Sequence, residues 1–150
     1  MNKKLILLCL VASLSFFSSS VYAQIRKIPA EVTDAMKEKY PNASNVEWKD
    51  KITVFQASFE MDGTTYAAKF NSKGEWQSTE KTLAESDLPA DVKDGLDKSK
   101  YSDWEIKSVS IIYLPEDKSQ YHLLVQKSDL QKRNLLFNPQ GKLLRDSITL

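Results

Sequence analysis

The chain has 150 residues, with 21 Lys and Arg against 20 Asp and Glu, one histidine and one cysteine. So even a charge balance favours neither nucleic acid nor an anionic membrane surface as a partner. A single histidine and a single cysteine leave little from which to build a metal centre or a thiol nucleophile.

The first residues read as an export signal. Lys3 and Lys4 precede an apolar run from Leu5 to Phe17, and Val21-Tyr22-Ala23 sets suitable residues at positions −3 and −1 of a signal-peptidase site. The run is shorter than the ~20 residues a membrane span needs. Residues 1–23 are therefore expected to be removed, so that the exported chain begins at Gln24 and is periplasmic or secreted. Cys9 follows Ile6-Leu7-Leu8, which lacks the small residue that lipid modification needs, and it leaves with the leader. Loss of Lys3 and Lys4 turns the net charge from +1 to −1. The mature protein then holds no disulfide and must rely on its core.

From Pro29 the pattern is helical. Proline suits the first turn, where its missing N–H has no partner to lose, and Glu31 is favoured there by the helix dipole. Val32, Met36 and Tyr40 recur four apart as one apolar stripe. Pro41 ends it. Strands follow. Asn45 to Lys49 offers Val46 and Trp48 on one face, and Phe55, Ala57, Phe59 and Met61 then alternate with Gln56, Ser58 and Glu60. Asp62-Gly63 is a two-residue hairpin signal. The returning strand sets Thr64, Tyr66, Ala68 and Phe70 against Thr65, Ala67 and Lys69. After a turn at Asn71-Ser72-Lys73-Gly74, Glu75 to Lys81 forms a fourth strand with Trp76 inward.

The second half echoes the first. Leu88-Pro89-Ala90-Asp91-Val92-Lys93-Asp94-Gly95-Leu96 repeats Ile28-Pro29-Ala30-Glu31-Val32-Thr33-Asp34-Ala35-Met36, and Phe137-Asn138-Pro139-Gln140-Gly141 repeats Phe70-Asn71-Ser72-Lys73-Gly74. The chain thus reads as an internal duplication, 24–84 and 85–150. Its extra residues fall mostly in the polar loop Pro115-Glu116-Asp117-Lys118. A helix from Pro89 to about Lys100 is followed by strands near Trp104 to Leu114, Gln120 to Lys127, Lys132 to Phe137 and Lys142 to Ser147. Gly95 costs its helix roughly 1 kcal/mol against alanine, and Ser108 falls where Trp48 stood if the helix offset is kept. The short bridge Ala84-Glu85-Ser86-Asp87 brings the two sheets side by side. The fold class is α+β, a tandem of one helix and a four-stranded antiparallel meander.

Catalytic inventory is thin. His122 stands alone on a strand between Tyr121 and Leu123, the setting of a surface or packing residue, because a site needs partners. The carboxylates Glu31, Asp34, Asp62, Glu85, Asp87 and Asp91 are spread over helices and turns, with neither a calcium loop nor a phosphate loop. No cofactor and no metal is expected, and the chain reads as no enzyme. In the first half the face away from the core is wet, with Gln56, Ser58, Glu60, Thr65, Lys69, Gln77 and Thr79. In the second, Tyr121, Leu123 and Val125 join Leu135, Phe137 and Leu143 on the core side. That leaves His122, Leu124, Gln126, Asn134, Leu136 and Leu144 outward. Leu124, Leu136 and Leu144, with His122, form a candidate binding patch, although a one-residue register slip would bury them against the other half.

Taken together, Pro29-Ala30 with Val32, Val46-Glu47-Trp48, Tyr66-x-Ala68-x-Phe70-x-x-x-Gly74-x-Trp76 and Thr79-Glu80 make the chain resemble the PepSY-like, β-lactamase-inhibitor-like family of exported proteins of Bacteroides-type bacteria. The resemblance implies one curved eight-stranded sheet with helices on its convex side, in a protein lying beyond the inner membrane. The inhibitors that name the fold press a hairpin loop and an aromatic concave sheet onto an enzyme, and they carry disulfides this mature chain cannot make. Asp62 and Gly63 are the positional counterpart of that loop. PepSY domains of protease propeptides imply a second role, restraint of a peptidase. The reading is a non-enzymatic exported module that holds a protein or peptide of the cell envelope on its open sheet face. The alternative is a small-ligand carrier, which needs a closed cavity of roughly 300 Å³ or more under the sheet.

Overall fold

The computed structural model describes residues 27–149. The leader read for residues 1–23, with Cys9 and the Gln24 start, lies outside them. Helix α1 (Ala30–Lys39) begins directly after Pro29, whose carbonyl accepts from the N–H groups of Val32 and Thr33. The proline therefore stands at the cap, one position before the first turn. Helix α2 (Ala90–Asp97) starts the same way after Pro89 and ends short of Lys100. Its stop has a local cause: the Ser99 hydroxyl donates to the Leu96 carbonyl and accepts from the Tyr101 N–H, drawing the backbone out of the helix.

Eight strands follow chain order across a single sheet: β1 (Ser44–Asp50), β2 (Phe55–Met61), β3 (Thr64–Phe70), β4 (Trp76–Leu83), β5 (Glu105–Tyr113), β6 (Ser119–Ser128), β7 (Gln131–Phe137) and β8 (Leu143–Ile148). Every neighbouring pair is antiparallel. Asp62 and Gly63 turn β2 into β3 at φ of 51° and 69°, as a type I′ hairpin demands. After a 3-10 turn at Glu85–Asp87 the chain returns so that β4 pairs with β5 from Thr79 opposite Tyr113 to Leu83 opposite Val109. The two meanders are therefore one sheet.

Both helices pack on the same face. Under α1, Val32 and Met36 meet Phe55, Ala57, Phe59, Ala68 and Phe70. Under α2, Leu88, Val92, Leu96 and Tyr101 meet Val109, Leu123, Val125, Leu135 and Phe137. The strand turns lie directly on the helices. A β-carbon on Gly74 would stand 2.4 Å from the Glu31 carbonyl oxygen, and one on Gly141 would stand 2.0 Å from that of Asp91. Gly95 belongs to the same contact, since its own β-carbon would fall 2.0 Å from the Gly141 oxygen. What looks like a flaw in α2 is the space into which the β7–β8 turn fits.

Bulges alter the expected faces. In β4, Trp76 opposes Phe70 and Ser78 opposes Lys69, so Gln77 is an extra residue and everything after it changes side. Thr79, expected outward, is instead buried on the helix side, where its hydroxyl meets the Tyr40 hydroxyl and accepts from the Trp76 indole at 2.8 Å. At the corresponding place in β8, Tyr101 donates to Asp146, whose carboxylate also pairs with Lys100 at 3.3 Å and Arg133 at 3.4 Å. The bulge in β5 puts Ser108 on the open face opposite Leu124, so it does not stand in for Trp48. Ile106 and Trp104 pack against the second core instead. In β1, Trp48 packs on the first core while Val46, beside a bulge, is 40 % exposed.

Candidate functional site

The face without helices carries a chain of hydrogen bonds running across four strands to a residue just past a fifth. Ser110 on β5 lies directly opposite His122 on β6, while Glu80 on β4 and Asn134 on β7 reach them along the diagonals. His122 Nδ1 is 2.9 Å from Glu80 Oε1, which also accepts from the buried Ser110 hydroxyl. On the other edge of the ring, Nε2 is 2.9 Å from Asn134 Oδ1, and the Asn134 amide donates to Thr149 Oγ1 at 2.8 Å just past β8. Both imidazole nitrogens thus face acceptors. Only the imidazolium has a hydrogen for each.

The charges follow this geometry. Hydrogen bonding to Glu80 raises the His122 pKa against the opposing effect of burial, with smaller help from Asn134. The same bond holds the Glu80 carboxyl below its ordinary value, again against burial. Raising a histidine's pKa on folding adds stability that is complete below its unfolded value, 6.5, and fades as pH climbs through the raised one. Lowering a carboxyl's pKa adds stability that is complete above 4.5 and fades as pH falls through the depressed value. These are two views of one interaction, present in full between those limits. In urea titrations, His122→Gln should therefore lose most against the parent chain at about pH 5.5, and the gap should narrow as pH rises above 6.5 and through the raised His122 value. A gap that widened with pH would contradict the ion pair.

A serine, a histidine and a carboxylate in contact invite comparison with hydrolytic triads, but the connections differ. Nucleophile activation needs a hydroxyl aimed at an imidazole nitrogen with an unshared pair, the acid holding the opposite nitrogen. Here Ser110 donates to Glu80, its oxygen lies 3.5 Å from the same Nδ1 that faces the carboxylate, and Nε2 is held by Asn134. The trio is arranged as a tied structural bridge. Among the described residues, no group of three or more His, Cys, Asp or Glu is placed to hold a metal ion.

Two shallow depressions flank this bridge. One, of about 150 Å³, is lined by Lys69, Glu80, Ile112, His122, Asn134, Leu136, Arg145 and Ser147, and the other, of about 170 Å³, includes Thr65, Thr82 and Ser108. Lys69 on β3 and Arg145 on β8 are five strands apart, about 24 Å on a flat sheet. Their meeting at one depression means the sheet curls over its open face. A third hollow of about 340 Å³ lies at the other side, between Trp76, Tyr113 and the loop Glu116-Asp117-Lys118, with Lys39 stacked 4.0 Å from the Trp76 ring centre.

Leu124 and Leu136 are half-buried on the open face beside His122. Leu124 opposes Asn134 and Leu136 opposes His122, so the two leucines occupy one diagonal of a block whose other diagonal is the His122–Asn134 bond. That bond passes between them. Leu144 is the extra residue of the β8 bulge, 45 % exposed, and lines neither depression. Asp62 and Gly63, at the β2–β3 hairpin, line neither as well. The sequence reading missed Glu80 and Ser110 as partners of His122. The bulge at Gln77 sets the face of Glu80, and no feature of composition announces a bulge.

Comparison with solved structures places this architecture among proteins of Bacteroides. A crystal structure described as "putative periplasmic proteins" from Bacteroides eggerthii is 27 % identical with a TM-score of 0.75, covering 81 % of this chain and 89 % of its own. A BLIP-like protein from Bacteroides fragilis is 28 % identical with a TM-score of 0.69, covering 81 % and 86 %. The first description agrees with the periplasmic or secreted location expected from the sequence, and no helix among the described residues is long and apolar enough to cross a membrane. A search of curated proteins finds no match. The family model described as "Putative beta-lactamase-inhibitor-like, PepSY-like" matches residues 53–145, from β2 to β8. The chain belongs to the PepSY-like, β-lactamase-inhibitor-like family.

Proposed function

We propose that the protein is a non-enzymatic binding module of the cell envelope that holds a protein or peptide on its open sheet face. The observation that carries this is the uncovered face itself: both helices pack on the opposite side, and Ile112, Leu124 and Leu136 stand half-buried around the Glu80–His122 bridge with nothing above them among the described residues. Apolar groups held open by a rigid polar frame suit a partner that covers them. Membership of an inhibitor-type family and likeness to a BLIP-like protein point the same way. A small-ligand carrier fits less well. The open-face depressions are about half the roughly 300 Å³ such a ligand needs, and the larger hollow is rimmed by charged side chains on the helix side.

A photocrosslinking side chain at position 124 should trap a partner in the native envelope, whereas one at Lys37, exposed on α1, should trap none. Leu136→Ser should reduce the adduct at least about tenfold, as loss of an interface anchor does. The fold should lose no more than about 1 kcal/mol. Equal trapping from positions 124 and 37 would mean that the open face is not the binding face, and unfolding of the serine variant would move Leu136 from interface to core; either removes the support for this reading.

A further inference from the structure

The open face carries a charge imbalance that the fold does not use. Glu80 is compensated by His122 and Ser110, and its neighbour Lys69 acts on it only through space, not as an ion pair. Among the described residues, the side chain of neither Lys69 nor Arg145 makes an ion pair or a hydrogen bond, yet both line the depression of about 150 Å³. Lys69 is half-buried, and the one carboxylate acting on it, Glu80, is already held by His122 and Ser110. Counting Lys69, Arg145 and the imidazolium against Glu80, the depression has an excess of two positive charges.

Its other walls mix polar Asn134 and Ser147 with apolar side chains. Ile112 and Leu136 flank the cations, and Leu124 follows on the far side of the His122–Asn134 bond. A free inorganic anion would satisfy the charges and leave these side chains wet. A segment that alternates acidic and apolar residues would satisfy both, since an arginine binds a carboxylate through two parallel hydrogen bonds and neighbouring apolar groups can cover the leucines. The volume admits one side chain. We infer that this depression takes the carboxylate of an aspartate or glutamate from an acidic–apolar segment of another protein, seated between Lys69 and Arg145 on the curled sheet. The inference rests on the open face being the binding face, and adds the chemistry of what it holds.

The test uses the mature chain, amide-resolved NMR, and two probe peptides, acetyl-Ser-Leu-Glu-Leu-Ser-amide and its glutamine counterpart. The glutamate peptide should shift the amides of Lys69, His122, Asn134 and Arg145 saturably, with at least about tenfold weaker binding for the glutamine peptide. A Lys69→Gln, Arg145→Gln double variant, checked for an unchanged melting curve, should remove that preference. Equal binding of both peptides at these residues would overturn the acidic specificity while leaving the open face as a binding surface. Acetate competing as well as the peptide would mean a simple anion site, and would overturn the inference. So would concentration-dependent self-association through the Glu116-Asp117 loop of a second copy. If neither peptide moves these amides, the inference falls, and crosslinking from position 124 decides the open-face reading by itself.

Discussion

Gly141→Ala should lose about 2–5 kcal/mol of stability, read as a lower denaturant midpoint in tryptophan fluorescence. Two costs add. The residue sits at φ of +77°, where a β-carbon costs roughly 1–2 kcal/mol. Its new methyl would also meet the Asp91 carbonyl at 2.0 Å, backbone that cannot swing aside, so the turn must lift off α2 at about 1–3 kcal/mol of overpacking. Gly63→Ala separates the two. Gly63 has a similar φ of +69° with nothing within 4 Å, so it should lose only the first, roughly 1–2 kcal/mol. Equal losses at the two positions would mean that the turn does not rest on the helix. In an open helix, replacing Gly95 by alanine would gain about 1 kcal/mol. Here the same contact makes it a loss, and the two alanine changes should not be additive, because they crowd one space.

Phe59→Ala should cost about 3–5 kcal/mol, the range for emptying an aromatic site in a packed core. Phe59 is 2 % exposed, with the Tyr40 ring centred 4.8 Å away and the Tyr66 ring 5.4 Å away. Both neighbours are anchored at their hydroxyl or strand positions and cannot collapse freely into the gap. Gln56→Ala, three residues earlier on the opposite face, should stay within about 0.5 kcal/mol as a surface change. Similar losses from both would put β2 in the wrong register. The Phe59→Ala chain should also keep one unfolding transition, by fluorescence and circular dichroism alike, because β4 and β5 are hydrogen-bonded across the junction of the halves. Two separated transitions would show that the halves hold independently.

Much of the fold was legible. The proline-led helix starts, the Asp62-Gly63 hairpin and the alternation of Phe55, Ala57 and Phe59 each rest on local chemistry and formed where it placed them, whereas α2 stopped short of the expected Lys100. The candidate site was less so. Strand faces follow a period of two only while pairing is unbroken, and extra residues at Gln77, Lys107 and Leu144 each reverse or suspend it. Hence Thr79 went to the wrong side, Ser108 did not replace Trp48, and Leu144 left the patch. Because Glu80 follows one of those bulges, His122 looked solitary in sequence while having a carboxylate 2.9 Å away in space. In the second half, the assignment of Leu123 and Val125 inward and Leu124 and Leu136 outward held because no bulge intervenes between them and their partners on β7.

Among the described residues the eight-stranded sheet does not close, so it has two raw ends, β1 and β8, each with a row of backbone groups that no other strand pairs. Both ends are interrupted: β1 by its break in register between Ser44 and Glu47, with Asn45 at φ of +51°, and β8 by the extra Leu144. A kinked border cannot template a straight neighbour. In a compartment crowded with exported chains, the same irregularities that blur the reading of faces work against edge-to-edge stacking of copies of this protein into fibrils.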